Sequence, residues 1–370
     1  MKNLSNSETL ATLQDVEDCY FSLLRRAPDA PGLEFWQSVL KKGITRKHLM
    51  DSFVKSTEFQ AKYTTTNNYS GLQFYPGYKP EDANILRKHV IQKAIIGEDY
   101  YIDGFGQKTL FQSVPFCKQF NKDLLSFPVP DDGYHAEALE YIAVCESVSE
   151  ATANEYCIAE LGAGWGPWVC LGGVLARNQQ IPKIILIGVE ADTERFSLMK
   201  QQFIANNFLD SAGKAVQNFE CTLIQGAAWS ENTTLYFANA GVTDMAASTS
   251  TTNAAGDYLG RNLPKVAVQA YSIQDIIKNN FVNLLHIDIQ GAEFDVIASS
   301  LEILKKQVKA MLIGTHSRVI EGKLIDLLYR NGWYLHREKP CQVNWQMKET
   351  LSTEAMTTSD GIQYWKNNSL

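Results

Sequence analysis

The sequence predicts an open, mostly parallel α/β sheet with helices on both faces, preceded by a small all-helical domain. Two observations carry this. From about residue 155 short β-branched runs alternate with helical stretches, and residues 13–63 show apolar positions at helical spacing only.

The helical part reads as three helices, about 13–26, 31–42 and 45–61, punctuated by Pro28-Asp29-Ala30-Pro31-Gly32 and Lys42-Gly43-Ile44-Thr45. Its expected core is Tyr20, Leu23, Leu24, Phe35, Trp36, Leu40, Leu49, Phe53 and Phe59. Residues 1–63 are assigned to this domain and the Thr/Asn/Gly/Pro-rich stretch 64–80 to a linker. A helix over 81–96 follows, with Ile85, Leu86, Val90, Ile91 and Ile95 on one face. The aromatic segment up to residue 130 (Tyr100, Tyr101, Phe105, Phe111, Phe116, Phe120, Phe127) is expected to cap the α/β domain, which is assigned to 131–370. Within it, strands are expected at 156–161, 184–189, 221–225, 283–289, 308–313 and 333–337, with helices at 136–148, 166–178, 192–206, 291–305 and 319–331.

Composition narrows the function. Hydrophobic residues make up 45% and charged residues 20%, ordinary for a globular protein with a large core. The net charge of −7 and the lack of a basic block argue against nucleic acid as the main partner, because phosphate neutralisation needs a basic face. Seven scattered cysteines, an odd number without a C-x-x-C pair, support neither a zinc finger nor a disulfide framework. The first twenty residues lack the charged and apolar regions of a signal peptide, and no apolar run reaches the ~18 residues of a membrane span, so a cytoplasmic protein without a membrane span is expected.

In a parallel α/β sheet, ligands bind beyond the carboxyl ends of the strands. The first strand ends in Glu160-Leu161-Gly162-Ala163-Gly164-Trp165-Gly166-Pro167, a glycine turn entering a helix. The second ends in Glu190, placed to accept hydrogen bonds from both hydroxyls of a ribose, while Asp192 reads as the cap of the next helix. The glycines run G-x-G-x-G behind an acid, unlike the dinucleotide fingerprint G-x-G-x-x-G. A carboxylate beside the turn suits a cationic ligand such as S-adenosylmethionine better than a pyrophosphate. The only Tyr-x-x-x-Lys, Tyr75 to Lys79, lies in the linker, which leaves short-chain dehydrogenase chemistry unsupported.

The fourth strand runs into Leu285-His286-Ile287-Asp288-Ile289-Gln290-Gly291-Ala292-Glu293, and the fifth into Ile313-Gly314-Thr315-His316. Together with the glycine turn and Gly188-Val189-Glu190-Ala191-Asp192, these segments resemble the FkbM family of S-adenosylmethionine-dependent O-methyltransferases over roughly residues 131–340. Asp-x-x-Gly-Ala-Glu is the most specific part. The resemblance implies a Rossmann-like class I methyltransferase sheet. It also implies cofactor contacts at Glu160, Gly162, Ala163, Gly164 and Gly166, at Glu190 and Ala191, and at Ala227, Ala228 or Trp229 near the adenine, with Asp288 facing both cofactor and reaction centre. The sequence departs from many relatives at His286, where they have lysine, and at Gln290, where they have glutamate; neither position is expected to touch the cofactor-binding core. The N-terminal pattern Tyr20-x-x-Leu23-Leu24-x-Arg26-x-Pro28-Asp29-x-x-Gly32-x-x-x-Trp36 resembles a small helical domain of unknown function often attached to glycan-modifying enzymes. That association points to a hydroxyl on a sugar, polysaccharide or glycosylated metabolite as methyl acceptor, and leaves the helical domain as the surface for a protein partner.

Methyl transfer demands alignment of acceptor oxygen, methyl and sulfur, and a base for the hydroxyl proton. Asp288 and His316, at the ends of adjacent strands, are the candidate catalytic residues. His286 reads as a core residue, Glu293 as support for a helix N-terminus, and Tyr134 and His135 as equally open to packing or cofactor contact. Asp288 and His316 are also a possible ligand pair for a divalent metal, but two ligands are too few to define a site. The small-residue stretch 239–262 exceeds ordinary loop length, which suits a lid, a binding loop or a disordered segment. A non-catalytic cofactor-binding scaffold and a nucleotide-dependent oxidoreductase are the rival readings.

Overall fold

The computed structural model describes residues 9–24, 26–59, 82–119, 137–152, 154–238, 249–251, 263–344 and 354–370. The expected linker, Tyr75, Lys79, Phe120, Phe127, Tyr134, His135 and most of 239–262 lie outside the described residues.

The N-terminal helices are α1 (Leu13–Leu24), α2 (Ala30–Leu40) and α3 (Arg46–Val54). Asp29 caps α2 through Gly32 N–H, with a proline in the first turn, and Thr45 caps α3 through His48 N–H. Their core gathers Val16, Cys19, Tyr20, Leu24, Leu49 and Phe53, with Leu23, Trp36, Leu40 and Phe59 packed partly against it. Phe35 is a correction: it stands 59% exposed, turned outward on the short α2.

The helix expected over 81–96 is also corrected. α4 covers only Ala83–Arg87; tight closures His89 N→Leu86 O and Val90 N→Arg87 O end it, and Ile91 N–H donates to Gly104 O instead. Tertiary pairing there overrides helical periodicity, and Ile91 and Ile95 are exposed. A three-stranded antiparallel sheet follows, β1 (Ile95–Ile96), β2 (Tyr100–Ile102) and β3 (Lys108–Leu110). It seats Tyr101 and Phe111 with Trp165 of the glycine turn, while Phe105 enters the main core.

The main sheet contains β4 (Glu155–Leu161), β5 (Lys183–Glu190), β6 (Phe219–Gln225), β11 (Leu284–Ile287), β12 (Ala310–Thr315), β13 (Trp333–Lys339) and β16 (Gly361–Asn367). The order is β13-β16-β12-β11-β4-β5-β6, all parallel except β16. The chain starts in the middle at β4 and winds first one way and then the other, so the switch point lies between β4 and β11.

Alternation along each strand builds two cores. Tyr156, Ile158, Leu186, Leu284 and Leu312 pack beneath α5 (Ala138–Ser149), α6 (Pro167–Asn178) and α7 (Thr193–Ala205). Cys157, Ala159, Ile187, Leu285 and Met311 pack on the other face against α8 (Ile273–Ile277), α9 (Glu293–Ser299), α10 (Leu301–Gln307) and α11 (Arg318–Arg330). The single helix expected over 291–305 is divided at Ser300 into α9 and α10.

A second sheet, β7 (Ala227–Ala228), β10 (Lys265–Tyr271), β8 (Thr233–Ala238) and β9 (Thr249–Ser250), projects from the end of β6, and a two-stranded hairpin pairs β14 (Gln342–Val343) with β15 (Thr357–Ser359). No helix among the described residues is long and apolar enough to cross a membrane.

Candidate active site

Three strand ends are tied together by backbone. Gly162 and Ala163 N–H both donate to Val189 O (3.0 and 2.9 Å), and Asp288 N–H donates to Leu161 O (2.9 Å), which locks the ends of β4, β5 and β11 into one crevice. Gly162, at φ +76°, is required there: a Cβ would lie 1.8 Å from Asp288 O. Gly164, at φ +55°, differs, because a Cβ on it would point into open space. Its missing side chain leaves room on the ligand side of the turn.

Gly164 N–H donates to Glu190 Oε2 at 2.6 Å, and Glu190 Oε1 accepts from Asp192 N–H at 2.7 Å. Burial pushes the Glu190 carboxyl up to about 7 against these bonds and the charge of Arg195. Asp192 caps α7 through Glu194 and Arg195 N–H, the capping role read from the sequence. Gly226 N–H donates to Glu190 O, bringing the end of β6 alongside. Ala227 and Ala228 are buried there, and Trp229 N–H donates to Tyr271 O. A cavity of about 510 Å³ opens next to these strand ends, lined by Ala191, Asp192, Gln225, Gly226, Phe237 and Val268.

Glu160 is turned into the protein. Its Oε2 accepts from Val169 N–H (2.8 Å) in the first turn of α6, where Gly166 is the N-cap, and its Oε1 lies 3.5 Å from His286 Nδ1. Both oxygens are thus engaged inside the protein, on the α6 face of the sheet. His286 is buried, as read, but it is also a charged link that the sequence did not reveal. It sits directly across from Glu160 on the adjacent strand, and its Nε2 lies 3.7 Å from Glu140 Oε1 on α5. Burial disfavours the imidazolium, yet the two carboxylates prevail and raise its pKa to about 10. A cation at this position therefore touches the framework of the glycine turn, contrary to expectation.

Asp288 and His316 do meet, with Nε2 3.2 Å from Oδ1. The other ring nitrogen, Nδ1, lies 2.9 Å from Glu293 Oε1. Glu293 is fully buried and also accepts from the N–H groups of Ile289 (3.2 Å) and Gly291 (3.0 Å), so it supports the turn as expected and anchors His316 besides. Burial works against a charged ring, but Glu293 and Asp288 hold the His316 pKa well above its ordinary 6.5. Burial likewise disfavours the Asp288 carboxylate, and His316, His286 and the Gln290 amide (3.1 Å from Oδ1) outweigh it, so its pKa is lowered. Held between two carboxylates, the ring favours its imidazolium form, which offers no lone pair to an incoming proton.

Asp288, Glu293 and His316 are close enough together to suggest a metal site. Their arrangement reads instead as a chain of charged contacts, because His316 turns a different ring nitrogen to each carboxylate. Glu293 is in addition committed to backbone N–H groups.

An open sheet with one reversed strand and a glycine turn, strand-end acid and Asp288 around its switch point defines a Rossmann-like methyltransferase of class I. Residues 174–328 match the methyltransferase FkbM domain, and residues 5–63 match a domain of unknown function, DUF4214. A protein of Jannaschia sp. (strain CCS1) that bears a methyltransferase name is 32% identical over 224 residues, 58% of this chain and 74% of that protein. Among solved structures, methyltransferase FkbM from Methylobacillus flagellatus KT aligns at 11% identity and a TM-score of 0.33, over 62% of this chain and 55% of that one. The match thus spans about half of that chain's length. Precorrin-6y C5,15-methyltransferase from Geobacter metallireducens GS-15 aligns at 9% identity and a TM-score of 0.34, over 65% and 94% of the two chains. The chain belongs to the FkbM methyltransferase family.

Proposed function

We propose that the protein transfers the methyl group of S-adenosylmethionine to a hydroxyl oxygen of a sugar, polysaccharide or glycosylated metabolite. The observation that carries this reading is the link between Gly164 and Glu190, which sets an open glycine turn against a strand-end acid suited to a ribose diol. When bound, S-adenosylmethionine supplies an electrophilic methyl on a sulfonium. Gly162, Ala163 and Gly164 present backbone to it, Glu190 accepts from the ribose hydroxyls, and Ala191, Ala227, Ala228 and Trp229 surround the adenine. Glu160 acts one step back by holding the α6 N-terminus.

Asp288 turns a partly exposed carboxylate into the crevice, fixed by His316 and Gln290. An ionised group so held orients the acceptor hydroxyl and faces the sulfonium charge, and orientation of this kind can lower a barrier by ~7–11 kcal/mol. The acidic surface favours an uncharged acceptor over nucleic acid. The N-terminal helices, outside the crevice, are the surface for a partner or for the larger glycan.

Mass spectrometry of glycans from cells with and without the gene tests the reading, the expected result being loss of a one-methylene mass increment. Calorimetry supplies the second arm. Binding of S-adenosylmethionine and not of NAD is expected, and the reverse preference would replace methyl transfer with redox chemistry.

A further inference from the structure

The residues that fix Asp288 also leave the acceptor's proton without an obvious destination. Both ring nitrogens of His316 face carboxylates, and Asp288 is fixed by His316 and Gln290. The antiparallel pairing of β12 with β16 supplies another carboxylate. Gly314 pairs with Ile362 and Thr315 with Gly361, the last pair of the ladder, which leaves Asp360 one residue beyond it and within electrostatic reach of His316 at the carboxyl end of β12. Thr357 Oγ1 donates to His316 O at 2.8 Å and holds the β15–β16 turn against this strand end. Asp360 is exposed, and none of the hydrogen bonds or ion pairs among the described residues ties down its carboxylate.

We propose that Asp360 is the catalytic carboxylate that meets the acceptor hydroxyl across the crevice from Asp288 and takes its proton. This rests on the methyltransferase reading above. As the acceptor oxygen forms its new bond to the methyl carbon, the carbon–sulfur bond breaks and its electron pair stays on sulfur. The hydroxyl proton passes to Asp360. One carboxylate and one sulfonium become a carboxylic acid and a neutral thioether, and the acid returns its proton to water.

The surroundings suit that role. Partial desolvation raises the pKa of this solvent-accessible carboxyl; His316 and Lys339 pull it down, Asp288 and Glu293 push it up, and the balance is a rise. Two carboxylates at one centre are thus driven apart, Asp288 down and Asp360 up, which is how acid–base roles separate between like groups.

The test compares the affinities of S-adenosylhomocysteine and sinefungin, in which an ammonium-bearing carbon replaces the methyl sulfonium, by calorimetry on the full chain. Wild type is expected to prefer sinefungin. Asp360→Asn should cut that preference by about tenfold, the scale of one nearby charge in a partly wet crevice, with S-adenosylhomocysteine affinity unchanged. Asp360→Glu should restore it, and Asp360→Ser serves as a second neutral variant should Asn fold poorly. The same preference in wild type and both neutral variants, including an equal fall in both affinities, overturns the inference and leaves the methyltransferase reading standing. Failure of the wild type to bind S-adenosylhomocysteine at all would sink that reading itself.

Discussion

Gly164 and Glu190 lie on different strand ends, and the 2.6 Å hydrogen bond from the glycine N–H to Oε2 makes the glycine turn and the strand-end acid one structural unit. The carboxyl titrates at about 7, above its ordinary 4.5, because it is buried. In the free protein its folded-state pKa is raised, so this group's contribution to stability is full below pH 4.5 and is lost as pH rises through about 7. A ribose diol binds the ionised form best. Affinity for S-adenosylmethionine is therefore expected to rise with pH through about 7 and then level off. Glu190→Gln should remove most of that dependence and weaken binding by ~1.5–3 kcal/mol, the worth of a charged hydrogen bond. Calorimetry across the pH range checks this, and a flat wild-type profile would contradict it.

Two glycines that look alike in sequence should separate by variant. Gly162→Ala places a Cβ against the Asp288 carbonyl, so loss of cooperative folding is expected. Gly164→Ala meets no atom within 4 Å, and its cost is the left-handed backbone, ~1–2 kcal/mol. The Ala variant should fold, and Gly164→Val should fold while losing S-adenosylmethionine binding. Circular dichroism melts paired with calorimetry distinguish the two sites; intact folding of Gly162→Ala would refute the close packing.

Much of this was legible beforehand because parallel strands and their ends leave strong local marks. β4, β5, β6, β11, β12 and β13 were all anticipated from β-branched runs, and Asp192 from its capping position. The missing strand, β16, escaped because it lies between two neighbours and is buried on both faces, with Gln363 fully inside among Ile362, Tyr364 and Trp365, so no period-two pattern shows. β8 and β10 escaped because a long small-residue stretch separates the partners. The charged links were invisible for another reason: His286 meets Glu140 and Glu160, and His316 meets Glu293, only through tertiary pairing, and nothing local distinguishes such a histidine from an ordinary core residue.

His286 offers the next test. Removing it leaves Glu140 and Glu160 buried without their cation, so His286→Leu is expected to cost ~3–5 kcal/mol. His286→Lys, which keeps a positive charge there, should retain most of the stability. The His286 pKa is raised to about 10, so its contribution is full below 6.5 and is lost as pH rises through about 10. Denaturant melts should show wild type losing stability between pH 8 and 10 in a step absent from the Leu variant. Equal stability of the Leu and Lys variants would exclude the ion link.

Asp288, His316 and Glu293 form one chain of charged contacts. Each ring nitrogen of His316 faces a carboxylate, so nitrogen chemical shifts of a labelled ring should report a doubly protonated imidazolium from pH 6 to pH 8. By the same logic activity should show no decline through the histidine range on account of His316. Its folded pKa is raised, so its contribution to stability is present below 6.5 and disappears only as pH climbs through that elevated value. Asp288 runs the other way: its pKa is lowered, so its contribution is present above 3.8 and is lost as pH falls through the depressed value. His316→Gln strands Glu293, which is fully buried, and a loss of ~3–5 kcal/mol is expected; adding Glu293→Gln should recover part of it because the stranded charge is gone. Asp288→Asn should fold and bind S-adenosylmethionine, while methyl transfer to the acceptor found by the glycan comparison falls about 10²-fold through lost orientation. Chelation should leave that rate unchanged, since the ring presents separate nitrogens to the two carboxylates. A neutral His316 at pH 7, or a chelator-sensitive rate restored by Mg²⁺, would require the ring to release one carboxylate and the chain to be redrawn around a metal.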